Sequence, residues 1–323
     1  MLELAALVFK AQAAKLQQAL QRTLKDADDE EAVHDVRVAC CRLNVALVNT
    51  ESLFRKPVVK GTRKRVKTLM SFLGELRDAE VQSERVRALA ERTGSEPVKR
   101  VAESLEAHTE LLRLRMLGEI ERGAYDTLPR LIEVLPLPAV LRGKSARLNT
   151  LAVAEAAQSV LLERLLAIEE YNSASEMSDS TTLHELRIAY KKLRYSADFF
   201  ATKLCTRLDN IISVAKKYQE VLGDLHDADV AEEMFAPMLR KEDLLPSSPA
   251  SSGNGTSGGH DIHLGSHTLL YEGIRAVVLE ARADQQRLRQ AFADLRAQGL
   301  MSVVRAEIEA LVPAVVPVET PAQ

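Results

Sequence analysis

The stretch LHELRIAYKKLRYSADFF, residues 183–200, combines a bundle-packing pattern with an unusual line of positive charge. Successive residues of an α-helix are ~100° apart around its axis, and this spacing places five apolar side chains on one side: Leu186, Ala189, Leu193, Ala197 and Phe200. The opposite side holds a sector of roughly 100° that we call the second basic stripe: His184, Arg187, Lys191, Arg194 and Tyr195. Lys192 lies at its edge. The pattern predicts an amphipathic helix that packs through its apolar side.

A weaker copy of this stretch, VHDVRVACCRLNVALVNTESLF, occupies residues 33–54, 150 residues earlier. The matched positions include His34 with His184, Arg37 with Arg187, and Arg42 with Lys192. A further pair of similar segments follows at an offset of 149, LGELRDAEV at 73–81 and LGDLHDADV at 222–230. A helix face that is merely solvated gives no reason for this spacing to recur. We therefore interpret the copies as an internal repeat with a shared function.

Apolar residues spaced three and four apart continue through most of the chain, broken by Gly-, Pro- and Ser-rich segments. The sequence therefore predicts an all-α protein built from two four-helix bundles. The predicted helices lie near 2–25, 31–54, 58–92, 97–122, 147–171, 180–204, 207–238, 267–297 and 299–311. We place the first half at 1–135, a connection at 136–146, and the second half at 147–313, with a disordered loop at about 246–266 and a tail at 314–323.

The composition, 46% apolar and 28% charged over 323 residues, is typical of a helical protein outside the membrane. No apolar run reaches eighteen residues, and Glu3 and Lys10 interrupt the amino-terminal segment, which favours a helix over a signal peptide. Three cysteines show no metal-binding or disulfide spacing. We therefore expect a cytoplasmic protein with no membrane partner. The net charge of −3 hides local basic charge, since residues 55–67 hold seven Lys or Arg and no acid.

The basic stripes have the chemistry of a phosphate-binding surface. Arginine binds phosphate oxygens in pairs, lysine adds a mobile positive charge, and protonated histidine donates from both ring nitrogens. In the first copy, Cys41 and Asn44 replace two cations of the second basic stripe, so we expect weaker binding there. Arg63 and Lys67 on the following helix are candidates to compensate, and Lys216 matches Lys67 in the second half.

The paired LG segments predict supporting roles. A glycine inside a helix costs on the order of 1 kcal/mol, so Gly74 and Gly223 are expected where another helix approaches closely. Asp78 and Asp227 would repel a phosphate chain if they faced it alone, so we expect them to hold basic side chains in place. The alternative is that both are ordinary surface carboxylates. We assign Tyr195 a supporting role of the same kind.

The two histidine segments, HDVRVACCRL and HELRIAYKKLRY, and the two LG segments resemble the motifs of the CHAD family, the conserved histidine α-helical domain. The resemblance spans nearly the whole chain. It implies two four-helix bundles related by a pseudo-twofold axis, with a basic groove or pore between them that binds inorganic polyphosphate. The contacts that it implies are His34, Arg37, Arg42, Lys67, His184, Arg187, Lys191, Lys192, Arg194 and Lys216.

The favoured function is a non-enzymatic polyphosphate-binding module, with no catalytic residue, metal or cofactor, that recruits the protein to polyphosphate granules. A metal-dependent phosphohydrolase is the alternative, suggested by the adjacent pairs His34 with Asp35 and His226 with Asp227. It is weaker because adjacent helical residues point ~100° apart, and no nucleophile with an adjacent base accompanies them.

Nucleic-acid binding is a third reading of the same basic stripes. Single-strand binders usually stack bases on aromatic side chains, and this chain has no Trp and is only 4% aromatic. Tyr190, Tyr195 and Tyr218 keep this option open. The histidines of HDIHLGSH, residues 260–267, lie in a linker-like segment and are not assigned a metal. The sequence leaves the oligomeric state open.

Overall fold

The computed structural model describes residues 1–26, 29–123, 125, 127–135, 150–173, 179–242 and 261–312. These residues form α-helices and two short 3₁₀ turns, and no β-strand. The helices are α1 (Leu2–Lys25), α2 (Glu30–Asn49), α3 (Lys56–Thr93), α4 (Glu96–Glu121), α5 (Leu128–Glu133), α6 (Thr150–Ser173), α7 (Ser180–Leu204), α8 (Asp209–Glu242), α9 (Asp261–Ala297) and α10 (Leu300–Glu309). The predicted all-α fold class is confirmed. None of these helices, within the described ranges, combines the length and apolar composition that a bilayer span requires.

The two histidine helices, α2 and α7, begin with the same kind of cap. The Asp29 carboxylate accepts a hydrogen bond from the backbone N–H of Ala32 at 2.8 Å. The Asp179 carboxylate accepts one from the backbone N–H of Thr182 at 3.1 Å. Such caps satisfy backbone donors that the first helical turn leaves without partners. Because each aspartate lies five residues before its histidine, the matched spacing of the two copies extends to the helix start.

The apolar sides of α2 and α7 are buried at equivalent positions. Helix α7 buries the five predicted residues, and α2 buries their counterparts at the same spacing: Val36, Ala39, Leu43, Leu47 and Thr50 at its cap. The LG segments on α3 and α8 also match, since Leu73, Leu76, Leu222 and Leu225 are all buried. This burial agrees with an internal repeat, while the pseudo-twofold relation itself stays a prediction.

Helix boundaries differ from the predicted ones where the chain turns. Helix α2 ends at Asn49, where Thr50 donates from Oγ1 to a carbonyl of the last turn at 2.6 Å and a 3₁₀ turn follows. The short helix α5 was not predicted; it tolerates Pro129 because the first turn of a helix needs no backbone donor there. Helix α9 begins at Asp261, inside the predicted disordered loop. The rest of that loop, residues 246–260, lies outside the described residues.

The contacts divide the chain into two compact units. The first unit contains Met1–Met70, Ile120–Glu220 and the described part of Asp294–Gln323, and the second contains Ser71–Glu119 and Val221–Ala293. Each unit therefore draws on both halves of the sequence. The predicted boundaries at 1–135, 136–146 and 147–313 concern the sequence repeat and stay a prediction, and the connection itself lies outside the described residues.

The first unit is built around large buried rings. The Phe9 and Phe54 ring centroids lie 5.8 Å apart. Tyr190 of α7 stacks on Tyr218 of α8 with ring centroids 4.6 Å apart and planes nearly parallel, at 3°. The Tyr218 hydroxyl donates to the carbonyl oxygen of Leu295 at 3.2 Å, so burial of this polar group is compensated. The stacked pair fixes α7 against α8.

The second unit has an apolar core, and several of its arginines are paired with carboxylates. Its core includes Val86, Leu89, Phe235 and Val277. The short ion pairs of this unit are Arg85 with Asp284 at 2.9 Å, Arg92 with Glu280 at 2.6 Å, and Arg282 with Glu232 at 2.7 Å. These arginines are therefore neutralised by their neighbours within the unit.

Two glycines show where close helix approach does and does not occur. Gly223 has open space where a Cβ atom would stand, so the prediction that it admits a neighbouring helix is wrong. Gly273 of α9 does need its small size, because a Cβ atom there would clash with the backbone of Pro97 on α4. Gly273 lies outside the LG segments, so no repeated motif marked it.

Candidate anion-binding surface

The two histidine helices contact each other inside the first unit. Ser196 of α7 donates from Oγ to Asn49 Oδ1 of α2 at 3.5 Å. Arg42 Nη2 of α2 lies 3.8 Å from Asp198 Oδ2 of α7. The two copies of the histidine motif are thus neighbours, which is what a site shared between them requires.

Helices α3 and α8 contact this pair at equivalent positions. Arg63 of α3 donates from Nε to Asn44 Oδ1 of α2 at 3.5 Å. Arg194 of α7 donates from Nη1 to Gln219 Oε1 of α8 at 3.2 Å. Positions 44 and 194 are aligned in the repeat, so the same position meets the next helix in both copies. The helices contact one another in the order α3, α2, α7, α8.

The eleven predicted cationic residues all belong to the first unit. Four of them are exposed: His34, Lys67, Lys192 and Lys216. The others are half-buried: Arg37, Arg42, Arg63, His184, Arg187, Lys191 and Arg194. We call this set, on α2, α3, α7 and α8, the basic surface. Half-buried arginines have restricted rotamers, which suits directed bonds to phosphate, and exposed lysines add charge without fixed geometry.

Arg63 stands beside the position at which the first copy lacks a cation. Position 44 is Asn in the first copy and Arg194 in the second. Because Arg63 reaches Asn44 from α3, a guanidinium group adjoins this position in the first copy as well. Arg63 is also 3.7 Å from Glu51, with both side chains partly exposed, and such pairs contribute about 1 kcal/mol or less. This placement agrees with the predicted compensation, whose effect on binding stays a prediction.

Tyr195 is buried between the two histidine helices. Its side chain is 7% exposed. Burial raises the pKa of the Tyr195 hydroxyl, and the nearby Cys41 adds to the rise. The Arg194 guanidinium carbon lies 5.5 Å from the Tyr195 ring centroid, within cation–π distance. Tyr195 is therefore placed to orient Arg194, in keeping with the predicted supporting role.

Arg42 occupies a different part of α2 from the other cations of its stripe. Eight residues after His34, it points ~80° around the helix axis from that histidine. It lines a cavity of about 280 Å³ between α1 and α2 together with Lys15 and Arg22. Arg22 is already paired with three carboxylates, Asp29, Glu31 and Asp35, the last at 2.7 Å. Arg42 therefore faces α1 on one side and Asp198 on the other.

Asp198 continues the second basic stripe with an acid that the sequence prediction missed. It lies fourteen residues after His184 and four after Arg194, so it points within ~40° of His184. Its side chain is 22% exposed. Burial raises the pKa of the Asp198 carboxyl, while Arg42 and Arg194 oppose the rise. Extending the helical wheel by one turn beyond Arg194 would have found this residue.

The two predicted supporting aspartates, Asp78 and Asp227, lie in the second unit, on α3 and α8. The backbone carbonyl oxygen of Asp227 accepts a hydrogen bond from Gln82 Nε2 at 2.9 Å. Asp78 is exposed and Asp227 is half-buried. Their role in holding basic side chains stays a prediction.

The structure gives no metal-binding candidate among the described residues, where no group of three or more His, Cys, Asp or Glu side chains is arranged to hold an ion. Of the linker histidines, His260 lies outside the described residues. His263 and His267 fall within α9, but their side chains are not among those described. The His-Asp pairs of the phosphohydrolase alternative are divided, with His34 in the first unit and His226 in the second.

Comparison with known proteins identifies the family. The CHAD domain family matches residues 7–236. PptA from Streptomyces chartreusis is similar in structure with a TM-score of 0.62 at 16% identity, over 92% of this chain and 99% of that chain. The CHAD domain from the plant Ricinus communis has a TM-score of 0.66 at 16% identity, over 96% of this chain and 92% of that chain. At such identities the likeness concerns the fold alone.

No curated protein sequence matches the chain. The family match nevertheless covers more than half of its length and includes both histidine helices and both LG segments. The resemblance of these motifs and the match thus agree, and the chain belongs to the CHAD family.

Proposed function

We propose that this protein binds inorganic polyphosphate, without catalysing its hydrolysis, on the basic surface of the first unit. The observation that carries the proposal is the contact between the two histidine helices, α2 and α7, within a unit that also holds all the predicted cations. Helices α3 and α8 extend the surface on either side through Arg63 and Arg194. Binding would serve to recruit the protein to polyphosphate granules.

Polyphosphate suits such a surface because it is a flexible chain that carries negative charge along its whole length. Neutralising several phosphates with Lys and Arg releases counterions, which drives binding and makes it depend steeply on salt. Guanidinium groups add directed pairs of hydrogen bonds to phosphate oxygens. A surface with both directed arginines and exposed lysines therefore favours a phosphate chain over an isolated small anion.

The placement of the tyrosines favours polyphosphate over single-stranded nucleic acid. Tyr190, Tyr195 and Tyr218 are 0%, 7% and 1% exposed. The first and last of these stack on each other. Base stacking needs an accessible ring face, and none of these three rings offers one. These three tyrosines therefore offer no stacking to the bases of a nucleic acid.

The test is a set of calorimetric titrations of the full chain with long-chain polyphosphate, triphosphate and RNA of equal total charge, each with and without Mg²⁺. We expect saturable binding of polyphosphate that weakens with salt, tighter than that of RNA, and no release of phosphate. Equal affinity for RNA would remove the specificity of the proposal. Phosphate release with a divalent ion would support the phosphohydrolase instead.

A pair of variants localises the ligand. Lys191→Gln with Lys192→Gln removes two charges from the basic surface and should reduce the slope of log affinity against log salt by about 2. The matched control, Lys10→Gln with Lys99→Gln, removes two exposed lysines from α1 and α4 and should leave the slope nearly unchanged. Equal changes in both double variants would place the ligand elsewhere.

A further inference from the structure

An acid that directly follows the cations of the second basic stripe partly neutralises them, so its presence there needs an explanation. On α7, Lys191, Arg194 and Asp198 follow one another at spacings of three and four, so their side chains share one face of the helix. The matched position on α2 is Val48, so the acid belongs to the second copy alone. This carboxylate therefore lies at the end of the second basic stripe, at the contact between α2 and α7.

Asp198 is held between two arginines that belong to the predicted binding set. Arg42 Nη2 lies 3.8 Å from Asp198 Oδ2 across the helix contact. Arg194, one turn earlier on the same helix, also interacts electrostatically with the carboxyl. At 3.8 Å the pair with Arg42 is longer than the 2.7–2.9 Å of a charge-assisted hydrogen bond. The carboxylate neutralises these arginines without closing a tight bidentate pair with Arg42.

The carboxylate is also poorly solvated. Its Oδ2 atom is inaccessible to solvent and has no hydrogen-bond partner among the described residues. Desolvation raises the pKa of the group, and it is the largest cause of the rise. A half-buried charge with an unsatisfied oxygen is costly, so structural stability is a weak reason for its presence here. The two arginines beside it are better matched to an external phosphate.

We propose that Asp198 is an internal counter-anion of the basic surface: it occupies Arg42 and Arg194 in the unbound protein, and a phosphate group of the ligand displaces it from them. The inference rests on the proposed function and deepens it, because it names a residue that sets the affinity. Bound phosphates repel the carboxylate, and the energy needed to displace it weakens binding. Asp198 thereby lowers the affinity for polyanions without contributing a contact of its own.

The decisive variants are Asp198→Asn and Asp198→Ala, titrated with long-chain polyphosphate in parallel with the wild-type chain. Each should bind about three- to tenfold more tightly, the range that removal of one nearby like charge produces in a partly desolvated site. A residue that merely positioned Arg42 would behave differently. Its loss would weaken binding, and asparagine, which still accepts a hydrogen bond, would weaken it less than alanine.

Net charge is controlled by Glu163→Gln, which removes one negative charge from α6. Glu163 is 69% exposed and pairs at 2.9 Å with Arg164, which is not one of the predicted binding residues. Its loss should change the affinity by less than about 1.5-fold at physiological salt, because exposed charges are screened. The gain from Asp198→Asn should persist at higher salt, since a half-buried charge is screened less.

The outcomes separate this inference from the proposed function. Tighter binding in both Asp198 variants, with melting temperatures close to wild type and no gain in the control, supports the counter-anion. If the wild-type chain binds polyphosphate and both Asp198 variants bind it equally well or more weakly, the counter-anion role is overturned. The proposal that the protein binds polyphosphate then still holds. Absence of polyphosphate binding in wild type and variants overturns the proposed function and the inference together. If the Asp198 variants bind polyphosphate and the wild-type chain does not, the carboxylate blocks binding completely, which also supports the counter-anion role.

Discussion

Helices α2 and α7 share one plan but obtain their positive charge in different ways. Both begin at an aspartate cap and bury equivalent apolar positions. On α7 the cations Lys191 and Arg194 belong to the helix itself. On α2 the matching Cys41 is only 8% exposed, and a guanidinium reaches the matching Asn44 from α3. The same place on the surface can therefore receive its positive charge from the histidine helix in one copy and from the next helix in the other.

The difference has a packing origin. Cys41 lies close enough to the buried Tyr195 of α7 to affect the pKa of that tyrosine. Its neighbour Cys40 is more deeply buried, and burial raises the pKa of the Cys40 thiol to about 12. A lysine in this environment would lose its hydration. A lysine is therefore unfavourable at position 41, although the matched position 191 carries one.

The largest expected effect tests this packing difference directly. Cys41→Lys should destabilise the protein by about 3 kcal/mol, because it buries a positive charge beside Tyr195. The reciprocal change, Lys191→Cys, should cost less than about 1 kcal/mol, because Lys191 is half-buried and reaches solvent. Urea unfolding of the two variants measures both values. Similar costs would mean that the two positions have equivalent surroundings after all.

A smaller effect concerns the unequal affinity of the two copies. Arg187→Gln with Lys191→Gln should weaken polyphosphate binding about 30-fold, or ~2 kcal/mol. Arg37→Gln with Arg42→Gln should weaken it about fivefold, because Asp198 already neutralises Arg42 in part. Calorimetric titration of the two double variants, after circular dichroism has shown that they are folded, gives the ratio of the two losses in affinity. Equal losses would show that the second copy has no advantage.

A third prediction compares the LG segments with the close helix contact elsewhere. Gly223→Ala should stabilise the protein by about 1 kcal/mol, because alanine favours the helix and its Cβ meets open space. Gly273→Ala should destabilise it by roughly 2 kcal/mol or more through the clash with Pro97. Denaturant midpoints of the two variants test this. A loss of stability in the Gly223 variant would restore the packing role predicted for it.

The smallest expected effect concerns the two histidines. His184→Asn should weaken polyphosphate binding more than His34→Asn, because His184 is half-buried and His34 is exposed. Calorimetric titrations of the two variants with polyphosphate measure the difference. Affinities equal to that of the wild-type chain would give both histidines a structural role.

Much of the fold followed from the sequence because helix packing has a local signature. The ends predicted for α1 and α7 agree with Leu2–Lys25 and Ser180–Leu204. Both helices have an apolar stripe that depends on neighbouring positions alone, and α7 also begins at a capping aspartate. Helix α5 was not predicted; Pro129 lies in its first turn, the part of a helix in which proline is tolerated. The first residues of α9 were missed because Gly- and Ser-rich composition resembles a linker.

The candidate site was only partly visible in the sequence. The repeated histidines and arginines could be found, because their spacing recurs along the chain. The contact of α2 with α7 and the pairing of Arg42 with Asp198 could not be found, because they join residues far apart in the chain. Asp198 was not predicted for a different reason: the second basic stripe was defined by its cations, and Asp198 follows the last of them, Arg194.

The sequence by itself determined that this protein is all-helical, that it carries two copies of one histidine motif, and that both copies are amphipathic, because side-chain periodicity is fixed by helix geometry. Tertiary structure alone decided that Cys41 is enclosed, that Arg63 stands beside Asn44, and that Asp198 lies against Arg42. These features depend on which helices become neighbours. Burial and the distances between charges set their energies, and neither is defined until the helices have packed.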